Sequence, residues 1–423
     1  MIVRLSGLPS VRNIAKMMFG TGLAQIVTFL ATPLLARLYG PDSFGQQSAL
    51  LSIVGPMAAL TTMAYPVAIV IARTDRDAAA FARLALLGSI AFSILGTALL
   101  FVEDMWLMRK LGLAELQALV LLIPALVILT TMNMSAGYMF VRGEQFGVYA
   151  RAQVVASGVG TAAKLALGFL APGTLSLIAG NALSYLVAPI TLMRTTRRSG
   201  QATRLTVGEL KNVVWSYRDF PLLRAPQNFI SAVSQAVPVI ALTSSFGPAA
   251  AGHYAVALSL TGAPVMLLGN AVQSVLYPKL TQAAQDGDNT SRLLLRSTLV
   301  LLALGAAFFV PIAAFGPWFF ALLLGPEWTE AGVYAALLVP VLWTGLANRP
   351  AVALIPAINL QGGLLIYEIL GTAAKIAAVY VGLWVIGSAR WTVGLFSAAG
   401  AVAYVLLVLW VYLSNCAIER KSK

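Results

Sequence analysis

The chain has few of the residues that build a soluble surface, a disulfide framework or a metal site. Only 10% of its 423 residues are charged and 59% are hydrophobic, whereas soluble domains carry about 25% charged residues. One cysteine, Cys416, and one histidine, His253, exclude a disulfide framework and any cysteine-rich or multi-histidine metal site. The sequence has no G-x-x-x-x-G-K-[S/T] loop, so we expect neither ATP hydrolysis nor a cofactor.

The chain does contain a series of long apolar runs. Each run is long enough to cross a bilayer core of about 30 Å as a helix, which takes about 20 residues. The first run is too long for a signal peptide and lacks a convincing small-x-small cleavage site, so we interpret it as an uncleaved span. We predict twelve membrane-spanning helices, centred near residues 26, 59, 92, 128, 159, 183, 234, 263, 304, 338, 370 and 403.

The net charge of +13 follows from membrane orientation. If the N-terminus is cytoplasmic, 22 of the 28 lysines and arginines lie in inward-facing segments, as the positive-inside rule requires. The four outward residues are Arg37, Arg109, Lys110 and Arg390, and the two inside spans are Lys164 and Lys375. We therefore predict a multi-pass membrane protein with both termini in the cytoplasm, and the charge gives no reason to expect a nucleic-acid partner.

Short patterns recur in the same order in the two halves of the chain, with offsets of 207 to 212 residues. The word GTAAK occurs at 160–164 and at 371–375, and the pattern aromatic-Gly-Pro-x-x-x-Gly occurs at 39–45 and at 246–252. Proline fixes φ and glycine permits a tight turn, so the second pattern marks the point where one helix ends and the next begins. The ordered series indicates a duplicated half.

The duplication predicts the architecture. We expect an all-α membrane protein with twelve transmembrane helices in two pseudo-symmetric six-helix lobes around a central cavity, as in transporters built from parallel repeats. The N-terminal lobe would comprise residues 1–195 with spans one to six. Residues 196–219 would form a cytoplasmic linker, and residues 220–423 would form the C-terminal lobe.

Charged residues inside the spans are the first candidates for a site. Lys375 lies 14 residues after Gln361 and 15 before Arg390, near the midplane, where a charge costs about 2.5 kcal/mol or more; we expect it to line the cavity. Lys164 either lines the cavity or extends to the interface. Glu368, two helical turns before Lys375, either stabilises that lysine indirectly or is a protonatable coupling group.

Three arginines are further candidates for substrate binding. Arg37 ends span one and either anchors the outer interface or binds substrate. Arg218 and Arg224 flank the inner end of span seven, where topology alone would explain them. Two interior lysines against one glutamate favour an anionic ligand such as phosphate. His253 is interpreted as an interfacial residue, with a proton relay as the alternative.

Two stretches carry a family resemblance. LLARLYGPDSFGQQSAL (34–50) and RGEQFGVYARAQVV (142–155) resemble the polysaccharide (O-antigen type) flippases, whose superfamily also contains the multidrug and toxic compound extruders and the lipid II flippases. The resemblance implies a protein of the bacterial inner membrane that is not an enzyme. It would move an undecaprenyl-diphosphate-linked oligosaccharide, a polysaccharide or lipopolysaccharide precursor, from the cytoplasmic to the outer leaflet by alternating access.

The resemblance also implies the partners and part of the site. Cationic cavity residues would bind the diphosphate or acidic sugars, and among the candidates only Arg37 falls on a recognisable family motif. The partners would be the lipid-linked oligosaccharide, membrane lipids, and a polysaccharide polymerase with other export machinery, and we expect a functional monomer.

Two other functions are weighed against this one. A cation-coupled multidrug-type extruder would need interior carboxylates, whereas lysines predominate here. A membrane glycan polymerase or ligase would need a sizeable outward loop carrying catalytic residues, and no predicted outward connection exceeds about a dozen residues.

Overall fold

The structure is a computed structural model that describes residues 11–102, 119, 121–198, 206–218, 220–285, 289–355, 358 and 360–422. Within these ranges every regular element is helical and no strand occurs. The predicted outward residues Arg109 and Lys110 lie outside the described residues.

Fourteen α-helices lie within the described ranges. They are α1 (Val11–Thr61), α2 (Tyr65–Ala68), α3 (Asp75–Val102), α4 (Leu122–Arg142), α5 (Phe146–Leu170), α6 (Thr174–Arg198), α7 (Val207–Ser216), α8 (Ala225–Phe246), α9 (Pro248–Gln285), α10 (Thr290–Leu324), α11 (Thr329–Ala347), α12 (Arg349–Leu354), α13 (Gln361–Tyr380) and α14 (Ala389–Ser422). Two π-helical turns, Phe220–Arg224 and Val381–Ile386, precede α8 and follow α13.

The described helices include eleven that are long and apolar enough to cross a membrane. The first of them, Phe19–Thr61, holds two of the predicted spans, because Gly40 interrupts α1 with φ 69° and ψ 171°. Glycine adopts this positive φ without a Cβ clash. Gly247, 207 residues further on, has φ 86° between α8 and α9. Every predicted span centre falls within a helix, so the predicted all-α, polytopic fold is confirmed.

The chain forms two compact units. The first contains the described residues of Met1–Tyr39 and Ala49–Ala236, and the second contains Gly40–Ser48 and Val237–Lys423. Most of the first six predicted spans therefore lie in the first unit, and the short segment after Gly40 belongs with the second. The predicted domain bounds at 195 and 220 stay a prediction.

In the first unit, Arg142 joins the end of α4 to the start of α3. Its Nη1 donates to the carbonyl oxygens of Ile69, at 3.3 Å, and Ala72, at 2.6 Å. Its Nη2 and Nε donate to Asp75 Oδ1 at 3.0 and 3.3 Å. One guanidinium thus satisfies two loop carbonyls and a carboxylate beside the buried aromatic cluster of Tyr65 and Phe81.

In the second unit, the end of α14 caps the start of α10. Glu419 Oε1 accepts hydrogen bonds from Thr290 Oγ1, at 2.7 Å, and from the Ser291 backbone N–H, at 3.0 Å. Asn415 Nδ2 lies 2.7 Å from Thr290 Oγ1 and 2.8 Å from Ser291 Oγ. The carboxylate satisfies a free N–H at a helix N-terminus, where negative charge is favourable.

Candidate functional site

The first GTAAK word faces the helix that follows it. A Cβ atom at Gly160 would lie 2.7 Å from Ser184 Oγ, and one at Gly180 would collide with the methylene stem of Lys164. Glycine thus permits α5 and α6 to approach closely, and the Lys164 stem lies across Gly180. Tyr39 also donates a hydrogen bond to the Lys164 carbonyl oxygen at 2.5 Å.

The second GTAAK word makes the same arrangement in the second unit. A Cβ atom at Gly371 would lie 3.7 Å from Ala403 Cβ, and one at Gly400 would lie 3.4 Å from Lys375 Cε. The helix pairs α5–α6 and α13–α14 thus share one arrangement. The glycine of the word faces a small residue of the next helix, and the lysine stem crosses a glycine that lies one turn before that small residue. The repeated word therefore encodes a repeated helix–helix contact that also orients a lysine.

Lys375 does not extend freely from α13. Its Nζ lies 5.5 Å from the centroid of the Tyr404 ring on α14, within the range of a cation–π interaction. The residue is half-buried. This geometry orients a cation that a bound anion could reach.

Glu368 is close enough to Lys375 for its charge to act on that lysine. The equivalent position in the first repeat, 211 residues earlier, is Ser157. Ser157 Oγ donates to the Ala24 carbonyl oxygen at 2.7 Å and lies 2.8 Å from Thr28 Oγ1. The position that links α5 to α1 in the first repeat therefore carries a carboxylate in the second repeat, seven residues before the lysine.

Arg349 is a candidate that the sequence reasoning assigned only to topology. A Cβ atom at Gly269 would lie 2.8 Å from its Nε, so the guanidinium lies against the backbone of α9. Its charge also acts on Tyr404, whose ring lies below Lys375. Arg349 follows Arg142 by 207 residues, the offset of the Gly-Pro pattern, and this spacing was the available signal.

The remaining predicted residues are exposed. Arg37 lies three residues before Gly40, and Arg218 follows α7. Arg224 ends the π-helical turn, and its Nη1 lies 3.5 Å from Gln227 Oε1. These arginines and Lys164 belong to the first unit, whereas Lys375 and Glu368 belong to the second. Their roles as substrate ligands, and that of Glu368 in coupling, stay predictions.

Solved structures identify the class of fold. A MATE family multidrug resistance transporter of the MOP superfamily, in an inward-facing conformation, matches with a TM-score of 0.65 at 15% identity, covering 99% of this chain and 98% of that one. The lipid II flippase MurJ, in an inward closed conformation, matches with a TM-score of 0.71 at 11% identity, covering 94% and 87%. At these identities the likeness shows the fold, which is that of the MOP superfamily transporters.

A third match is a MOP superfamily transporter from Pyrococcus furiosus Vc1. Its description states that the reverse polarity of its binding pocket suggests a different function. It has a TM-score of 0.60 at 15% identity, and the match covers 96% of each chain.

The sequence itself identifies the family. The polysaccharide biosynthesis protein family matches residues 34–333, which is more than half of the chain. This protein therefore belongs to the polysaccharide biosynthesis protein family. No curated protein sequence matches it significantly. The resemblance to the polysaccharide flippases is confirmed at the level of the family and of the fold.

Proposed function

We propose that this protein is a flippase that moves an undecaprenyl-diphosphate-linked oligosaccharide from the cytoplasmic to the outer leaflet of a bacterial inner membrane. Family membership supports a place in polysaccharide biosynthesis, and the fold supports transport by alternating access. The protein carries out no chemical step in this proposal. Its partners are the lipid-linked oligosaccharide, membrane lipids and a polysaccharide polymerase, and it acts as a monomer with both termini cytoplasmic.

The observation that carries the proposal is the cationic group around Tyr404. Lys375 lies over the Tyr404 ring, and the Arg349 charge acts on the same side chain. Glu368 is the carboxylate that acts on Lys375, so the group has a net positive charge. A charge inside the membrane is costly, and charges found there mostly face the bundle interior or a water-filled cavity and mark functional sites. A diphosphate would be bound through both cations.

The other predicted ligands extend this proposal. Lys164, whose stem crosses Gly180, would be a ligand for an anionic group on the first unit. Arg37, Arg218 and Arg224 are exposed, and we propose that they contact the diphosphate or acidic sugars as the substrate enters and leaves.

The experiment compares two substitutions of Lys375 that both keep a long side chain. One of them removes the positive charge and the other keeps it. Lys375→Met keeps a flexible apolar side chain across Gly400, and Lys375→Arg keeps the positive charge. In a strain lacking the chromosomal gene, we expect Lys375→Met to restore little surface polysaccharide and to leave lipid-linked oligosaccharide in the cytoplasmic leaflet. Lys375→Arg should restore at least part of the export, because it preserves the charge.

Two outcomes would contradict the proposal. Full export by Lys375→Met, at wild-type protein levels in the membrane, would remove Lys375 from the substrate site. Normal distribution of lipid-linked oligosaccharide between the leaflets in the deletion strain would remove the flippase function itself. The control variant is Gly371→Ala on the same helix. It adds a methyl group at ordinary contact distance from Ala403, so it should leave export unchanged.

A cation-coupled multidrug-type extruder is the second candidate, because Glu368 supplies an intramembrane carboxylate and the fold is shared with a multidrug transporter. This function predicts that the deletion strain becomes more sensitive to organic cations and keeps its surface polysaccharide. The flippase proposal predicts the opposite pair of results.

A further inference from the structure

In the second unit, the two copies of the Gly-Pro-x-x-x-Gly pattern pack against each other. A Cβ atom at Gly45 would overlap the Pro248 carbonyl oxygen, and a Cβ atom at Gly252 would overlap the Pro41 carbonyl oxygen. Each glycine of one copy therefore faces the proline of the other, in a reciprocal contact that we call the glycine seam. The seam holds the segment Gly40–Ser48 against the start of α9.

The single histidine of the chain lies next to the glycine seam. His253 directly follows Gly252, and its ring is edge-on to Trp328, at 5.5 Å between centroids, and to Tyr334, at 6.4 Å. Trp328 is fully buried and is also edge-on to Phe44, at 5.6 Å. A continuous row of rings thus connects His253 with the segment Gly40–Ser48.

Two carboxylates and one tyrosine lie around the imidazole, and an arginine binds one of the carboxylates. Asp42 of the segment and Glu330 of α11 act on it electrostatically. Glu330 is already bound by Arg390, with Nε–Oε1 at 2.8 Å and Nη2–Oε2 at 2.7 Å, while Asp42 is exposed. Tyr334 is the tyrosine and packs edge-on to the ring. The carboxylate of Glu330 therefore has its negative charge largely balanced by another cation.

The imidazole is half-buried, and one of its two nitrogens has no partner in the described part of the chain. Its Nδ1 is buried and has no hydrogen-bond partner among the described residues. A protonated ring has two N–H donors, and a charged donor that is buried without an acceptor is destabilised. Exposing the same ring to water removes that cost. A proton on His253 therefore destabilises the packed arrangement relative to one in which the ring is solvated.

We propose that His253 is a proton-binding site and that proton binding there releases the segment Gly40–Ser48 from α9. The arrangement with the ring exposed binds the proton more tightly, so by linkage the proton favours that arrangement. In the predicted topology this end of α9 faces outward, where protons from the outer side of the membrane reach it. The inference is independent of which substrate the protein carries.

The size of the effect follows from the ordinary titration of histidine. A solvated imidazole has a pKa of about 6.5, so at pH 5.5 its protonated form exceeds the neutral form about tenfold. If the packed ring stays neutral, the equilibrium constant between released and packed arrangements rises about tenfold between pH 8 and pH 5.5.

Spin-label distances test the release directly. Ser43→Cys and Glu327→Cys place labels on the segment and on the exposed turn before α11, in a Cys416→Ser background that removes the only native thiol. The protein is purified through a tag without histidine and measured in nanodiscs by double electron–electron resonance. We expect the ratio of long to short distances to rise about tenfold from pH 8 to pH 5.5, in line with the histidine titration.

Three variants assign the response to one group. His253→Gln keeps a planar polar side chain that does not titrate in this range, and we expect a distance distribution independent of pH. Asp42→Asn and Glu330→Gln should keep a pH response, because the titrating group is still present. A wild-type distribution that does not change with pH would overturn the proposal, as would an unchanged response in His253→Gln or a response that is lost in Asp42→Asn.

Discussion

The glycine seam gives the sharpest test of how the packing works. Alanine at position 45 would place a methyl group within the van der Waals radius of the Pro248 carbonyl oxygen, so the segment must move away from α9. Overpacking of this kind costs about 1–3 kcal/mol, and the close Cα–H···O contact, worth about 0.5–1 kcal/mol, is lost as well. We therefore expect Gly45→Ala to destabilise the protein by about 2–3 kcal/mol.

The matched control lies on the same helix. A Cβ atom at Gly55 would have nothing within 4 Å, and replacing an unhindered helical glycine by alanine stabilises by about 0.5–1 kcal/mol. Thermal unfolding in detergent, followed by tryptophan fluorescence, should show a lower midpoint for Gly45→Ala and an equal or higher one for Gly55→Ala. With roughly 2–4 °C per kcal/mol for a unit of about 200 residues, the variants should differ by about 5–15 °C. Equal midpoints would refute the close-contact reasoning.

Three further predictions concern charged residues. Arg142→Ala should destabilise the protein by about 2–4 kcal/mol, because charge-assisted hydrogen bonds contribute about 1.5–3 kcal/mol each; exposed Arg151→Ala should change the unfolding midpoint little, and equal effects would contradict the described contacts. Glu368→Gln should make transport insensitive to the proton gradient in a vesicle assay, and an unchanged gradient dependence would remove Glu368 from coupling. Lys164→Met should leave thermal stability unchanged or higher, because an intramembrane charge is removed, while lowering export; a destabilised variant would indicate a structural role instead.

Much of the fold could be predicted because each membrane-spanning helix corresponds to a long apolar run, and the breaks between runs indicate where the helices end. The spans follow from length and hydrophobicity, and the Gly-Pro patterns mark the ends of helices, as Gly40 and Gly247 show with their positive φ angles. The repeats at equal offsets also indicated equivalent positions. Lys164 and Lys375 do make equivalent contacts with the helices that follow them.

The neighbours of each residue could not be predicted, because sequence spacing gives the face of a helix but not its register against another helix. Tyr404 and Arg349 lie 29 and 26 residues from Lys375, and only the antiparallel packing of α13 on α14 brings the Tyr404 ring below the ammonium group. The cap that Glu419 forms on α10 was missed for the same reason. The two residues of that contact, Thr290 and Glu419, are 129 residues apart in the sequence.

The reciprocity of the glycine seam has a consequence for the symmetry of the chain. Two identical polypeptides related by a two-fold axis make every interfacial contact twice, with the roles exchanged. Gly45 with Pro248 and Gly252 with Pro41 are such an exchanged pair, now made within one polypeptide. The contact therefore has the form of a homodimer interface, although both sides belong to one chain. The two copies are not identical, because one carries Asp42 and Phe44 at positions where the other has alanine.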